Sequence, residues 1–108
     1  MKFLILILLV LISGCTQETT DVKQQAIDAC INLCKDISAS VGVPGLVNGP
    51  CLSDINSVWN IDDWVCDVAH EPRQDVDNLP ENQCQEYREG KAHHFVEVDT
   101  NCNFITAV

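Results

Sequence analysis

Cysteines, histidines and one run of oxygen-rich side chains are the parts of this 108-residue chain with chemistry beyond packing. Cys30, Cys34, Cys51, Cys66, Cys84 and Cys102 form an even set downstream of Cys15. Such a set serves either as metal thiolates or as oxidised pairs. No C-x-x-C pair occurs, and the three residues between Cys30 and Cys34 match no common zinc or thioredoxin-like spacing. The set therefore reads as three disulfides. A domain this short buries too little core to be comfortable on burial alone, and bridges at about 2–4 kcal/mol each would make up the deficit.

Histidine offers a second chemistry. If the strands carrying His70 and His94 pair, the two rings could converge beside Glu71 or Glu97 and hold zinc or copper. His93 and His94, adjacent on one strand, point to opposite faces and cannot share an ion without a bulge. The commoner role for histidines on half-buried strand faces is structural. Asp75, Asp77, Asn78, Glu81 and Asn82 form D-x-D-N-x-x-E-N, dense enough in oxygen to interest calcium. That run lacks the sixth-position glycine and twelfth-position glutamate of an EF-hand, so a polar loop with a helix cap is the plainer reading. Ser38, Ser40, Ser53 and Ser57 occupy no nucleophile elbow, and bridged cysteines leave no thiolate. With no glycine-rich phosphate loop, the expectation is a non-enzymatic protein without a cofactor.

The first fifteen residues, MKFLILILLVLISGC, set the compartment. Lys2 precedes ten consecutive apolar residues, and the small pair Ser13-Gly14 stands before Cys15, the three-part layout of a secretory signal. Ten residues rise only about 15 Å as a helix, roughly half a bilayer's hydrocarbon thickness, which argues against a permanent span. The tail LISGC resembles the lipobox of prokaryotic lipoprotein signals. That resemblance implies cleavage before Cys15 and a diacylglycerol on its thiol; an ordinary cleaved signal releasing a soluble protein and an uncleaved hydrophobic tail are the alternatives. The division expected is a signal peptide over 1–14, a lipid-anchored cysteine and tether over 15–20, and one small disulfide-rich domain over 21–108.

Charge agrees with export. Five basic residues against sixteen acidic ones after Cys15 leave that part at −11. Such a surface repels phosphate backbones, so nucleic acid is excluded as a partner. It is compatible with cationic partners, although solvation alone is the commoner purpose of surface acids.

The elements that must position these side chains follow from periodicity. Residues 21–41 read as a helix, with Asp21 as cap, Gln24 completing a capping-box pattern and Gly42 as the stop. Val22, Ala26, Ile27, Ala29, Cys30, Leu33, Cys34, Ile37 and Val41 share an arc of about 160°, with Ile31 outside it. Cys30 and Cys34 project the same way from one helix, so a bridge between them would be strained and each needs a different neighbour. That leaves twelve of the fifteen possible connectivities. Residues 42–50 are a loop, and 51–60 are ambiguous, leaning to a strand. Residues 64–70 are a better strand, with Trp64, Cys66, Val68 and His70 on one face. Residues 71–79 are an exposed loop and 80–89 a short helix bearing Cys84 and Tyr87. Residues 91–108 form a hairpin turning at Asp99-Thr100-Asn101. The sum is an α+β domain: one amphipathic N-terminal helix packed on a small antiparallel sheet, stapled by disulfides.

The segments WVCDVAHEPR, DNLPENQCQEYREG and HHFVEVDTNC are similar to short cysteine-rich exported proteins, themselves uncharacterised, of archaeal genomes. This resemblance implies no activity and no functional residues. The reading is a binding, interaction or envelope-structural module, lipid-anchored at the extracytoplasmic face of the cell membrane or secreted, with an unknown protein or small-molecule ligand. The alternatives are a metal-binding protein using His70 and His94, and a small secreted enzyme or inhibitor.

Overall fold

The computed structural model describes residues 18–108; the expected signal peptide, the lipid site Cys15 and the start of the tether lie outside the described residues. Helix α1 runs Glu18–Val41, so it begins inside the expected tether, and Asp21 is an interior helical position and not a cap. The middle of its apolar arc is buried, with Ala26, Cys30, Leu33, Cys34 and Ile37 in the core, while Val22 and Val41 at its ends are exposed. Ile31, outside the arc, still packs against the core edge.

Three strands form one sheet in the order β1-β2-β3: β1 Trp64–Val68, β2 His94–Val98 and β3 Phe104–Ala107. The domain is α+β as expected, with the helix laid on the sheet, but the sheet is mixed. β1 and β2 are parallel, in register from Trp64 opposite His94 to Val68 opposite Val98, and only β2 and β3 form the antiparallel hairpin. Alternation of apolar residues fixes which face a side chain takes and says nothing about strand direction. Direction is set by the connection, and the segment after β1 is long enough to carry the chain back to β1's starting end, as a parallel pair requires. There the amides of His93 and His94 both donate to the Asp63 carbonyl, at 3.2 and 3.0 Å.

Residues 51–60 are a run of turns with a single isolated bridge, Cys51 to Asp67, and not the expected strand. They still do a strand's work at the free edge of β1. Leu52 N–H donates to the Cys66 carbonyl at 2.8 Å, Val68 N–H to the Pro50 carbonyl at 3.1 Å, and Cys66 N–H to Ser53 Oγ at 3.0 Å. An edge that would otherwise expose its ladder groups is thereby closed. The expected helix over 80–89 is two pieces, a 3₁₀ turn Pro80–Asn82 and helix α2 Gln85–Arg88, with Gly90 in the left-handed region at φ 79° as the stop.

Because β1 is covered on both sides, all five of its residues are buried. Trp64, Cys66 and Val68, with Val96 and Val98 of β2, pack against α1 in the main core. Val65, Phe95, Ala92 and the Cys51 and Cys84 sulfurs form a second, smaller cluster. The six cysteines pair as Cys30–Cys66, Cys34–Cys102 and Cys51–Cys84. The first two tie adjacent turns of α1 to β1 and to the turn of the hairpin; the third ties the edge-closing segment to the start of α2.

The Cys34–Cys102 bridge spans 68 residues, and closing a loop of that length restricts the unfolded chain by roughly 4 kcal/mol on the chain-entropy estimate. Replacing both residues by alanine is expected to lower stability by about 2–5 kcal/mol in equilibrium urea unfolding; a loss below about 1 kcal/mol would show that this bridge does not hold the fold.

Candidate functional site

Of the sequence-predicted groups, the histidine pair is not brought together. His94 starts β2 opposite Trp64, whereas His70 lies two residues past the far end of β1. In a parallel pair that separates them by six strand positions, about 20 Å. His94 stacks on Trp64, with ring centroids 4.6 Å apart, and its Nδ1 lies 3.3 Å from the Val108 carbonyl. His70 Nδ1 lies 2.9 Å from Asp77 Oδ1. The two rings therefore share no metal site. His93 and His94 do meet one group, the exposed Asp63 carboxylate, at 2.6 and 3.6 Å from its two oxygens. The His93 ring's hydrogen bond leads the effects that hold Asp63 below the usual carboxylate range.

The oxygen-rich run is likewise committed internally. Asp77, only 2% exposed, accepts from the His70 and Gln74 amides at 2.9 Å each as well as meeting the His70 ring. Burial alone would raise its pKa, yet these bonds together hold it below the usual range. Asn78 Oδ1 accepts from Arg73 Nε at 2.8 Å, and Asn82 donates to the Val76 carbonyl at 3.0 Å. The run is a capped polar loop, and Gly49 backs onto it: a Cβ there would stand 2.6 Å from Asp77 Oδ1. Cys51, Asp54 and Cys84 bring ligand-type atoms together. Their two sulfurs are bonded to each other and offer no thiolate.

What sequence reasoning missed lies on the face of the sheet away from α1. A cavity of about 400 Å³ opens there, lined by Val65 and Asp67 of β1, Phe95 and Glu97 of β2, and Cys84 and Tyr87 at α2, with Arg73, Gln83 and Arg88 completing it. Each strand contributes alternate residues because side chains two apart share a face. The Tyr87 and Phe95 rings meet edge to face, with centroids 5.0 Å apart. The walls are largely apolar, and the volume is at the small end of the range for small-molecule sites.

Asp67 is the exceptional group. It is 8% exposed, and its Oδ1 has no hydrogen-bond partner among the described residues. Loss of water and the neighbouring Glu97 charge push its pKa up to about 8, against the smaller opposing pull of Arg73. Glu97 is its register partner on β2 and ion-pairs with Arg73 at 2.9 Å. Each nitrogen of Arg73 is directed elsewhere: besides the Glu97 contact, Nε and the second terminal nitrogen bond Asn78 Oδ1 and the Asp77 carbonyl, at 2.8 and 3.1 Å. It can therefore neutralise Glu97 but gives Asp67 no direct bond. The one sequence signal for this site was a carboxylate inside the apolar run WVCDVA, where burial on both faces would leave it stranded.

No protein-family model, curated protein or solved structure matches the chain.

Asp67 has a definite signature in stability. Between about pH 4 and 8 the native state holds one proton more than the unfolded chain, so this group's contribution is greatest below pH 4 and is lost as pH rises towards 8. Asp67→Asn removes that dependence. The variant is expected to match the wild type near pH 5 within about 1 kcal/mol and to exceed it near pH 8 by roughly 1–3 kcal/mol, several degrees in Tm. Thermal melts across that range check it; parallel pH profiles for the two proteins would show that Asp67 is not the buried group described.

Proposed function

We propose that this protein is a non-catalytic binding module, tethered through a lipid on Cys15 to the extracytoplasmic face of the cell membrane, that receives a small ligand in the cavity over β1 and β2. The observation that carries the binding reading is the apolar-walled cavity of about 400 Å³ with the largely buried Asp67 in its lining. A concave, largely apolar site with a few placed polar groups is the usual setting for a small ligand. Three disulfides support residence in an oxidising compartment. The anchor rests on the resemblance of LISGC to a lipobox, and two acyl chains would hold the domain at the surface far better than one. The helix starting at Glu18 leaves only a short stretch after Cys15, which would keep the domain close to the bilayer.

A second reading has one observation in its favour. Asp67, with its raised pKa, stands beside the ion-paired Glu97, and two carboxyls in different environments are the raw material of acid–base hydrolysis. The commitment of Glu97 to Arg73 favours binding over turnover, because a general base must be free to take a proton.

Two measurements test the proposal. Intact mass spectrometry of protein extracted from membranes is expected to show a diacylglycerol adduct on a chain beginning at Cys15, with Cys15→Ala losing membrane retention; an unlipidated first residue would remove the anchor. A fragment screen followed by amide chemical shifts is expected to give hits that move Val65, Asp67, Phe95 and Glu97 together. A screen in which no fragment moves these four would remove the binding site.

A further inference from the structure

We propose that the ligand class of this cavity is an uncharged aromatic molecule, one ring carrying a single hydroxyl or carbonyl group, held with its ring against Tyr87 and Phe95. This rests on the reading of the cavity as a binding site and goes further by fixing the charge and shape of what enters it.

Charge comes first. Asp67, Glu97, Arg73 and Arg88 all border the cavity, and none of them is placed to hold an ion. Glu97 and Arg73 face each other at 2.9 Å, and the remaining nitrogens of Arg73 go to Asn78 and to the Asp77 carbonyl. The unpartnered oxygen of Asp67 has no accessible surface, so nothing in the cavity reaches it. Arg88 is exposed and keeps its water, and a pair formed there with an incoming anion is worth a factor of about five at most.

A charged ligand would therefore give up hydration against largely apolar walls and find no free buried counter-charge in return. Either sign also meets its like, a cation at Arg73 and an anion at Glu97. Asp67 itself supports this view of the surroundings, since burial leads the effects that favour its neutral form. What suits such walls is a molecule with no charge to lose.

Shape follows from the rings. Tyr87 and Phe95 meet edge to face with centroids 5.0 Å apart, and Tyr87 stays 38% exposed beside the cavity. A third ring can join them in the same edge or offset geometry, which improves on plain area burial by roughly 2- to 10-fold. Val65 and the Cys84 sulfur complete an apolar, polarisable wall. One polar group on the ligand is provided for. Gln83 lines the cavity and spends its amide nitrogen on a long contact, 3.4 Å, with the Asn78 carbonyl. Its amide oxygen can accept from a hydroxyl, and its second N–H can donate to a carbonyl.

The test uses benzyl alcohol, cyclohexylmethanol, benzylammonium and benzoate as probes on the folded protein with its disulfides intact, by NMR titration near pH 6.5. Benzyl alcohol is expected to bind at least about tenfold more tightly than either ion, and roughly 2- to 10-fold more tightly than cyclohexylmethanol. Its ring protons should show intermolecular NOEs to Tyr87 and Phe95, a readout that needs no variant. Tyr87→Ala, at a partly exposed position, should keep the melting temperature within a few degrees and remove the preference for benzyl alcohol over cyclohexylmethanol. Either ion binding as tightly as benzyl alcohol, cyclohexylmethanol equalling it, or NOEs that miss both rings would each overturn the uncharged aromatic class while leaving the cavity a binding site. None of the four probes moving the amides of Val65, Tyr87 or Phe95 would overturn the class and count against the cavity as well.

Discussion

Two covalent ties one helical turn apart govern this fold. Cys30 and Cys34 leave the same side of α1 and reach different targets, β1 through Cys66 and the hairpin turn through Cys102. A single tie would leave a helix free to swivel on a three-stranded sheet; two ties to different elements fix both its position and its direction. The fully buried Val68, Val96 and Val98 can then pack against a surface that does not move. So small a core gains little from burial alone, and much of its stability comes from restricting the unfolded chain.

The third bridge has a different consequence. Cys51–Cys84 draws the edge-closing turns and α2 over the face of the sheet opposite α1, and it buries that face only in part. One side of β1 is therefore sealed and apolar, while the other has a lid with space beneath it. Asp67 belongs to the second side. Its burial, its lack of a partner and the pressure on its proton all follow from the lid, because an uncovered strand face would leave the same carboxyl hydrated and ordinary.

The legible parts of the sequence were those set by local periodicity. The apolar arc of α1, the incompatibility of Cys30 with Cys34 as partners, the strand expected over 64–70 and the hairpin with its turn at Asp99 all depend on residues close in sequence, and all are present, the strand ending two residues early at Val68. Non-local pairings were not legible. The parallel join of β1 to β2 depends on how residues 69–93 travel, and with it went the meeting of His70 and His94, which an antiparallel pairing would have permitted. In residues 51–60 the strand-like alternation is Cys51, Ser53 and Ile55, yet turns bury the adjacent Cys51 and Leu52, supply the edge contacts and leave Ile55 exposed. Beyond the carboxylate stranded in WVCDVA, Asp67 was not legible as a site for the same reason: its environment is made by Glu97, Tyr87 and Cys84, which come from elsewhere in the chain.

All of this requires the six sulfurs to be joined in one way. Peptide mass mapping of unreduced protein, isolated with free thiols blocked at lysis, tests it most directly. The expected result is three cross-linked peptide pairs, Cys30 with Cys66, Cys34 with Cys102 and Cys51 with Cys84, and no blocked cysteine among the six. Blocked thiols at any of these positions, or Cys84 joined to a partner other than Cys51, would contradict the covered sheet and the cavity that depends on it.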